Sequence, residues 1–425
     1  MTGTKYDVVI LGGGPAGMMA AGSAAAQGAS VALLEKNDRL GVKLGITGKG
    51  RCNYTHMEED PMKLAEVFGA NGRFLLSSLS RFGLRETLEF FHERGVAPLV
   101  ERGHRVFPDN GGTASDVLAA LAAFMAEGNV WIFTDTEVTS LKPKHKGGFC
   151  LKSNRGDFEA ETVVIATGGL SYPQTGSTGD GYGWARETGH KIIAPEPAIS
   201  PVRAQESWCT ELKGLTLKNV SLSLWHNGAQ RSSRFGEMLF THFGVSGPIV
   251  MDMAKEIGRA LKAGQPILFI DLKPALSKAK LDARILRDLK NHPRELLKNG
   301  LRDLLPRQLI PVVLHVAGIP ADTRVDTVTK TQRANLLEAV TALPVTPTGL
   351  LGYRWAVITA GGVSLKDVNP KTMESKKYSG LFFAGEILDL DGPTGGYNLQ
   401  ACWSTGYTAG LAAFQRSTES RSRSS

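Results

Sequence analysis

The sequence predicts an α/β protein: a Rossmann-like nucleotide domain interrupted by a long insertion, β-rich at first and then helical. Between Asp7 and Glu35 no residue is charged, and the stretch reads as strand, glycine turn, Ala-rich helix and second strand. A glycine-rich, strand-like pattern returns only from Leu350, ending in Gly380-Leu-Phe-Phe-Ala-Gly-Glu386, and the Pro-rich passage Pro195 to Pro201 marks a boundary between the two. Both ends of the chain are therefore expected to build one domain around the insertion.

The first unit is a dinucleotide clamp. Asp7-Val-Val-Ile-Leu11 is the opening strand and Gly12-Gly13-Gly14-Pro15-Ala16-Gly17 the turn into the helix. Gly12 permits the tight turn, Gly14 lets backbone amides approach a pyrophosphate, and Gly17 lets the helix pack closely on the sheet. Phosphates then meet unpaired N–H groups and the positive end of the helix dipole. Glu35 closes the second strand about 20 residues on, where a carboxylate accepts hydrogen bonds from an adenosine ribose and repels a 2′-phosphate. A transmembrane helix is the rival for so long an uncharged segment, but the Gly-Gly-Gly-Pro run would break it. No basic stretch precedes it as in a signal peptide.

Beyond it, Gly41 to Asn53 is too glycine-dense for a stable helix or strand and is expected to serve close approach to a ligand. Residues 73 to 95 read as one helix and Ser115 to Glu127 as another; Val130 to Val138, Phe149 to Ser153 and Thr162 to Ala166 read as strands. In the insertion, Val220 to His226 and Ile267 to Leu272 read as strands, and Ser277 to Leu305 as a basic amphipathic helical region interrupted at Pro293.

With 425 residues the chain is long enough for two or three domains. Cys52, Cys150, Cys209 and Cys402 form no C-x-x-C pair, which argues against a disulfide framework or a zinc site, so no metal is expected and the setting expected is cytoplasmic. The net charge of +8 is localised: Lys273 to Val340 holds 13 Lys and Arg against 7 Asp and Glu, and Arg416 to Ser425 three Arg against one Glu. Such a patch suits a polyanion, though a solvated helix face carries the same signature. The tail from Arg416 reads as disordered.

Three further segments resemble two-dinucleotide-fold flavoproteins. Thr162-Val-Val-Ile-Ala166 runs into Thr167-Gly168-Gly169, similar to the A-T-G turn that passes FAD; Gly385-Glu386 resembles their C-terminal Gly-Asp or Gly-Glu element; and Gly395-Gly396-Tyr397-Asn398-Leu399-Gln400 opens a helix that would face the flavin pyrimidine edge. Together with Lys43, Gly48-Lys-Gly50-Arg51-Cys52-Asn53, Arg105-Val-Phe-Pro108, Thr241-His242-Phe-Gly-Val-Ser-Gly-Pro248 and Thr359-Ala-Gly-Gly-Val363, the chain resembles one bacterial family of NAD(P)/FAD-dependent oxidoreductases. That family contains aminoacetone-oxidase-like FAD-binding enzymes and 3-dehydro-bile-acid reductases, the BaiN/RdsA group. Gly176-Ser-Thr-Gly-Asp-Gly181 also resembles fumarate-reductase flavoproteins.

The resemblance implies a discontinuous FAD domain of the two-dinucleotide-fold type with an inserted β-rich domain and a helical subdomain. The expected partition is 1–194 and 352–415 for the FAD domain, 195–272 and 341–351 for the β-rich domain, 273–340 for the basic helical insertion and 416–425 for a disordered tail. It adds Lys36, Leu44, Val138 and Asp391 to the expected cofactor contacts, and NAD(P)H as a transient reductant, since no second G-x-G-x-x-G unit exists to hold it. The chemistry implied is hydride transfer from reduced flavin to an activated C=C bond, with one proton supplied by the protein.

Arg51 and Arg105 are candidates for polarising a substrate carbonyl or anchoring phosphate, against a structural or FAD-phosphate role. Cys52 beside Arg51 is a candidate proton donor or redox partner if that charge stabilises its thiolate, against simple packing as a small apolar residue. His242 and Tyr397 complete the catalytic candidates, against a structural histidine and a core aromatic. Two substrate types follow from the resemblance: uridine in 23S ribosomal RNA, reduced to dihydrouridine and recruited by the basic insertion, or a small steroid-like enone. An amine oxidase and a non-catalytic flavin- or RNA-binding protein are the alternatives. Residues 273 to 340 contain no Phe, Tyr or Trp, so base stacking is not what that segment offers RNA.

Overall fold

The computed structural model describes residues 4–145, 147–291 and 293–422. It divides into two compact units, Met1–Pro197 with Val357–Ser425, and Ala198–Ala356.

In the first unit a seven-stranded sheet carries the site. Strand β1 (Thr4–Leu11) pairs in parallel with β2 (Val31–Leu34) on one side and with the long final strand of the sheet's first chain segment, Gly156–Ile165, on the other. Trp131–Phe133 extends the sheet beyond β2, again in parallel. Gly156–Ile165 is shared: its first half pairs antiparallel with Phe149–Ser153, and Val163 to Ile165 pair in parallel with Leu381–Phe383 from the far end of the chain. The sequence explains the buried strand β1, whose last six residues are all buried, as a hydrophobic run covered on both faces.

Apart from Met18 and Met19, helix α1 (Pro15–Ala25) is made of small residues, and its neighbours come close. A Cβ on Gly22 would lie 2.3 Å from the Phe124 ring, and Cβ atoms on Gly406 and Gly410 of the C-terminal helix Tyr397–Ser422 would lie 2.4 and 2.3 Å from the carbonyl oxygens of Ala16 and Ala20. The two helices therefore pack backbone against backbone. A small three-stranded antiparallel sheet, Thr55–His56, Arg105–Pro108 and Pro98–Glu101, completes the parts that position the site.

The second unit is a seven-stranded antiparallel sheet built around the hairpin Thr216–His226 and Ala229–Thr241, turned by Asn227-Gly228 with φ of 54° and 72°, the mirror-image turn that suits strand twist. Helix Pro248–Ala263 lays Ile249, Val250, Met253, Ala254, Ile257 and Ala260 inward. The basic segment forms helices Lys278–Asn291, Leu297–Gly300, Ile310–Val316 and Lys330–Thr341, with the expected break at Pro293. Leu281, Ile285 and Leu289 join Leu222, Leu224 and Ile270 of the strands in one apolar cluster.

Three expectations need correction. Residues 73 to 95 are not one helix: the helix Leu76–Arg81 ends before Gly83, where a Cβ would lie 2.5 Å from the Leu79 carbonyl, and Leu84–Glu93 restarts with the Gly83 amide bonded to Glu86. Val130 to Val138 is two strands, Trp131–Phe133 and Val138–Pro143, separated by a turn with Asp135 at φ 47°. The tail is helical through Ser422, anchored where Arg416 pairs with Glu374 and Glu419 and bonds Ser379. Residues 423–425 and His292 lie outside the described residues.

Candidate active site

The glycine turn after β1 has steric reasons at every glycine but one. Gly12 has φ 102°, and a Cβ there would lie 2.7 Å from the Ala166 carbonyl of the neighbouring strand end. A Cβ on Gly17 would sit 1.9 Å from the Gly12 carbonyl, so only glycine lets α1 start so near the turn. Gly14 is different: a Cβ there meets nothing within 4 Å. It caps the start of α1 with no side-chain acceptor, no acidic residue follows in the first turn, and Pro15 has no N–H to satisfy. Space and unpaired N–H donors coincide at this one point, as an anion site requires.

Glu35 is buried and braces the turn from behind: its carboxylate accepts from the Gly13 amide at 2.6 Å and from the Asn37 amide and side chain at 2.8 and 2.7 Å. Lys36 turns to Asp180 (2.6 Å) and the Thr178 hydroxyl. Gly12, Glu35, Lys36, Val138, Thr167 and Asp180 line one recess beside the turn.

Lys43 and Glu386, expected cofactor residues from opposite ends of the chain, form a largely buried ion pair of 2.7 Å. Two residues not singled out as cofactor contacts from the sequence complete it. Ser171 bonds both members at 2.6 Å, and Thr359 presents its amide to Glu386 at 2.9 Å while its hydroxyl accepts from the amides of Leu170 and Ser171. Ser171 lies two residues past Gly169, and Thr359 opens the Thr-Ala-Gly-Gly-Val motif; both signals were present. Gly169 has no room for a side chain, since a Cβ would lie 2.4 Å from the Thr359 hydroxyl, and Gly168 has φ 71°. Gly385 holds the same region against α1, where a Cβ would meet Ala16 at 2.7 Å.

The glycine-rich loop winds through left-handed backbone at Gly48, Lys49, Gly50 and Cys52. Within the segment expected to form no helix, Val42–Gly45 makes a single helical turn with Leu44 buried. Cys52 does not meet the expectation of a stabilised thiolate. Its thiol is fully buried, which pushes it up to about 12, the Thr47 side chain pulling slightly the other way. The neighbouring Arg51 guanidinium instead reaches out to the Glu101 carboxylate and lies 4.3 Å over the Phe107 ring. Arg105 joins the same carboxylate at 3.5 Å, so the two candidate arginines do come together, over one acid and one ring. The Arg51 bond holds Glu101 below the usual carboxylate range.

Gly395 and Gly396 have φ of 121° and 97°, and a Cβ on Gly396 would lie 2.3 Å from the Thr55 carbonyl. This close approach brings Tyr397 onto His56, a residue not singled out from the sequence: the rings stack at 4.2 Å, and the phenol lies 2.8 Å from Nε2. Gln400 offers no side chain to a cofactor. Its amide is buried and bonded to Thr55, Phe82, Thr87 and Ser404. Asn398 ties down the loop carrying Asp391 through Gly392 and Pro393, and Leu399 packs against the core. His242 belongs to the second unit, exposed, edge-on to Phe243 at 4.7 Å, its carbonyl accepting from Thr210.

The residues fit a dinucleotide flavin. The helix start at Gly14 opens onto free space, and among the buried polar atoms without a hydrogen-bond partner are the Thr167 hydroxyl and the Asn53 side-chain oxygen, both expected cofactor contacts. Among the described residues no His, Cys, Asp or Glu group is arranged to hold a metal ion, and no helix is long and apolar enough to cross a membrane.

The model of the HI0933-like protein Rossmann domain matches residues 6–412. The chain belongs to this family. Its relatives include a protein named ribosomal RNA dihydrouridine synthase from Haemophilus influenzae, 30% identical over 95% of this chain and 97% of that one. A 3-dehydro-bile acid delta(4,6)-reductase from Clostridium scindens is 32% identical over 96% and 98%. The resemblance read from the sequence is thereby borne out. The fold is also that of a 3-ketosteroid-delta4-(5alpha)-dehydrogenase from Rhodococcus jostii (TM-score 0.53, 16% identity, 97% of both chains) and of a flavocytochrome c3 fumarate reductase (TM-score 0.52, 16% identity, 97% of this chain and 79% of the other).

Proposed function

We propose that this family member is an FAD-dependent oxidoreductase, working in the cytoplasm, that reduces a C=C bond conjugated to a carbonyl. The supporting observation is a cofactor cradle assembled from both ends of a chain that matches two relatives end to end. The names of those relatives differ in substrate, yet 5,6-reduction of a uracil ring and reduction of a dienone both saturate a carbon–carbon bond polarised by a carbonyl. FAD supplies the hydride when bound. Arg51 and Arg105, paired with Glu101 in the free protein, would exchange it for a substrate carbonyl or phosphate.

Between substrates, uridine in ribosomal RNA is favoured by the surplus of cations on residues 273–340. Ion pairs occupy some of the cations there: Arg284 and Arg287 share Asp288, Arg333 pairs with Asp282 and Lys278 with Glu338, while Lys290 and Arg294 are exposed. NADH or NADPH is the proposed electron donor, binding transiently. The test is anaerobic reduction of the purified protein by each nucleotide, or by an amine for the amine-oxidase alternative, followed by reoxidation with unmodified ribosomal RNA, a 3-oxo-4-ene steroid or oxygen. Rapid reoxidation by RNA with dihydrouridine formed supports the reading. Reoxidation by oxygen alone sinks it.

A further inference from the structure

The C=C-reductase reading leaves one proton to be supplied by the chain, and Cys52 is too deeply buried and too weakly acidic to supply it. We propose that Tyr397 and His56 are the proton source: Tyr397 gives the proton at its phenolic oxygen, and His56 refills it.

The geometry fixes the direction. The Gly395 carbonyl can only accept, so the 3.0 Å contact makes His56 Nδ1 the donor and places the ring's variable proton on Nε2. Nε2 is the atom 2.8 Å from the Tyr397 oxygen. When the imidazole is neutral, Nε2 accepts the phenol's hydrogen bond. When it is protonated, Nε2–H donates to the phenol oxygen and turns the phenol's own proton outward, toward a substrate. Neither residue is fully buried, and His56 stands directly opposite Arg105 in the antiparallel register, so both project from the same face of the small sheet. The proton donor and the group that would polarise the substrate carbonyl thus share one surface.

The step balances. One carbon of the C=C bond takes the hydride and the π bond breaks. The neighbouring carbon takes the phenolic proton, and the Tyr397 O–H bond breaks. The phenolate left on Tyr397 takes the Nε2 proton of His56, which is restored from solvent. Burial holds His56 below its ordinary value of 6.5, with the Gly395 carbonyl and Glu58 pulling up and His104 pushing down. Arg105 faces it from the adjacent strand and Tyr397 from the helix. The competent form is the protonated one, so reoxidation slows as pH rises through the His56 pKa.

The test compares wild type, Tyr397→Phe and His56→Gln, each loaded with FAD, reduced anaerobically with dithionite and mixed with a 3-oxo-4-ene steroid or with unmodified ribosomal RNA. Tyr397→Phe keeps the ring and its stacking, and is expected to retain FAD and its visible spectrum while reoxidising about 100-fold slower or worse, the usual scale of general acid catalysis. His56→Gln should lose the pH-dependent limb. Nitrogen-15 spectra of histidine-labelled protein should show His56 protonated at Nδ1 and, above pH 8, bare at Nε2, with the Nε2 signal moved by Tyr397→Phe. A Tyr397→Phe protein that reoxidises at the wild-type rate, or a His56 bare at Nδ1, overturns the assignment while leaving the reductase reading intact. A wild type reoxidised by neither acceptor removes that reading and the donor role with it.

Discussion

One ion pair in each unit shows charge used in opposite ways. In the first, Lys43 and Glu386 come from positions 343 residues apart, meet at 2.7 Å, and are each about four-fifths buried with Ser171 and Thr359 around them. In the second, Lys278 and Glu338 meet at 2.7 Å with both side chains more than half exposed. A long-range buried pair has lost its water and depends on its partner; an exposed one keeps its water and is screened by salt. The first kind fixes positions, and the second leaves cations available to something else.

The largest effects are expected where the first unit has no slack. Gly17→Val drives a Cβ into the Gly12 carbonyl and should destabilise the unit by about 3 kcal/mol or more, read as a lost cooperative transition. Gly14→Val sharpens the contrast a few residues earlier. Its backbone, at φ −80° and ψ −177°, suits a β-branched residue and its Cβ meets no protein atom, so melting of the cofactor-free protein should hold while FAD content falls to nothing. Equal loss of stability in both variants would show that Gly14 is kept for folding rather than for phosphate.

Next in size, Lys43→Met should cost about 3 kcal/mol by leaving Glu386 buried without its partner, and Lys43→Met with Glu386→Leu should recover much of that. The equivalent change in the second unit, Lys278→Gln, is expected to stay within about 0.5 kcal/mol in denaturant titration. A comparable loss at both pairs would erase the distinction.

Much of the first unit was legible because its signals are local. Strand, glycine turn, helix and Glu35 follow within 30 residues, and Gly17 is required by Gly12 in the same turn. His56 went unread because its partner Tyr397 lies 341 positions away, whereas Ser171 and Thr359 sit in or beside quoted motifs and only their hold on the Lys43–Glu386 pair had to wait for the fold. Cys52 misled for a related reason. Proximity to Arg51 in sequence says nothing of where a guanidinium points, and it points to Phe107 and Glu101. The single helix expected over residues 73 to 95 failed on Gly83, whose preceding turn leaves no space for a continuing side chain.

Smaller effects test the remaining regions. Replacing Arg287, Lys290 and Arg294 with Gln should weaken ribosomal RNA binding and flatten its salt dependence by about one unit of log–log slope for each phosphate no longer neutralised, with FAD content unchanged. Arg284 is best left in place, since its guanidinium holds the buried Asp288 carboxylate. RNA affinity that ignores these changes would assign the cations to ordinary solvation. For the thiols, burial pushes Cys52, Cys209 and Cys402 up to about 12, so each stays protonated and unreactive across pH 7 to 9. Alkylation of the native protein in that range should label the half-buried Cys150 alone, and quick labelling of Cys52 would reopen its case as a nucleophile.

The backbone contact between α1 and the C-terminal helix also sets an order of assembly on the ribosome. Ala16 and Ala20 are covered by Gly406 and Gly410, and Val163 to Ile165 pair with Leu381–Phe383, so the nucleotide unit cannot close until almost the whole chain has been made. The second unit is continuous from Ala198 to Ala356 and needs nothing that follows it. It is free to fold while the first 197 residues wait with an apolar face unpaired, which makes the nascent N-terminal segment the natural client of a chaperone. Protease digestion of ribosome-stalled chains ending near residue 390 should then spare the second unit and cut the first.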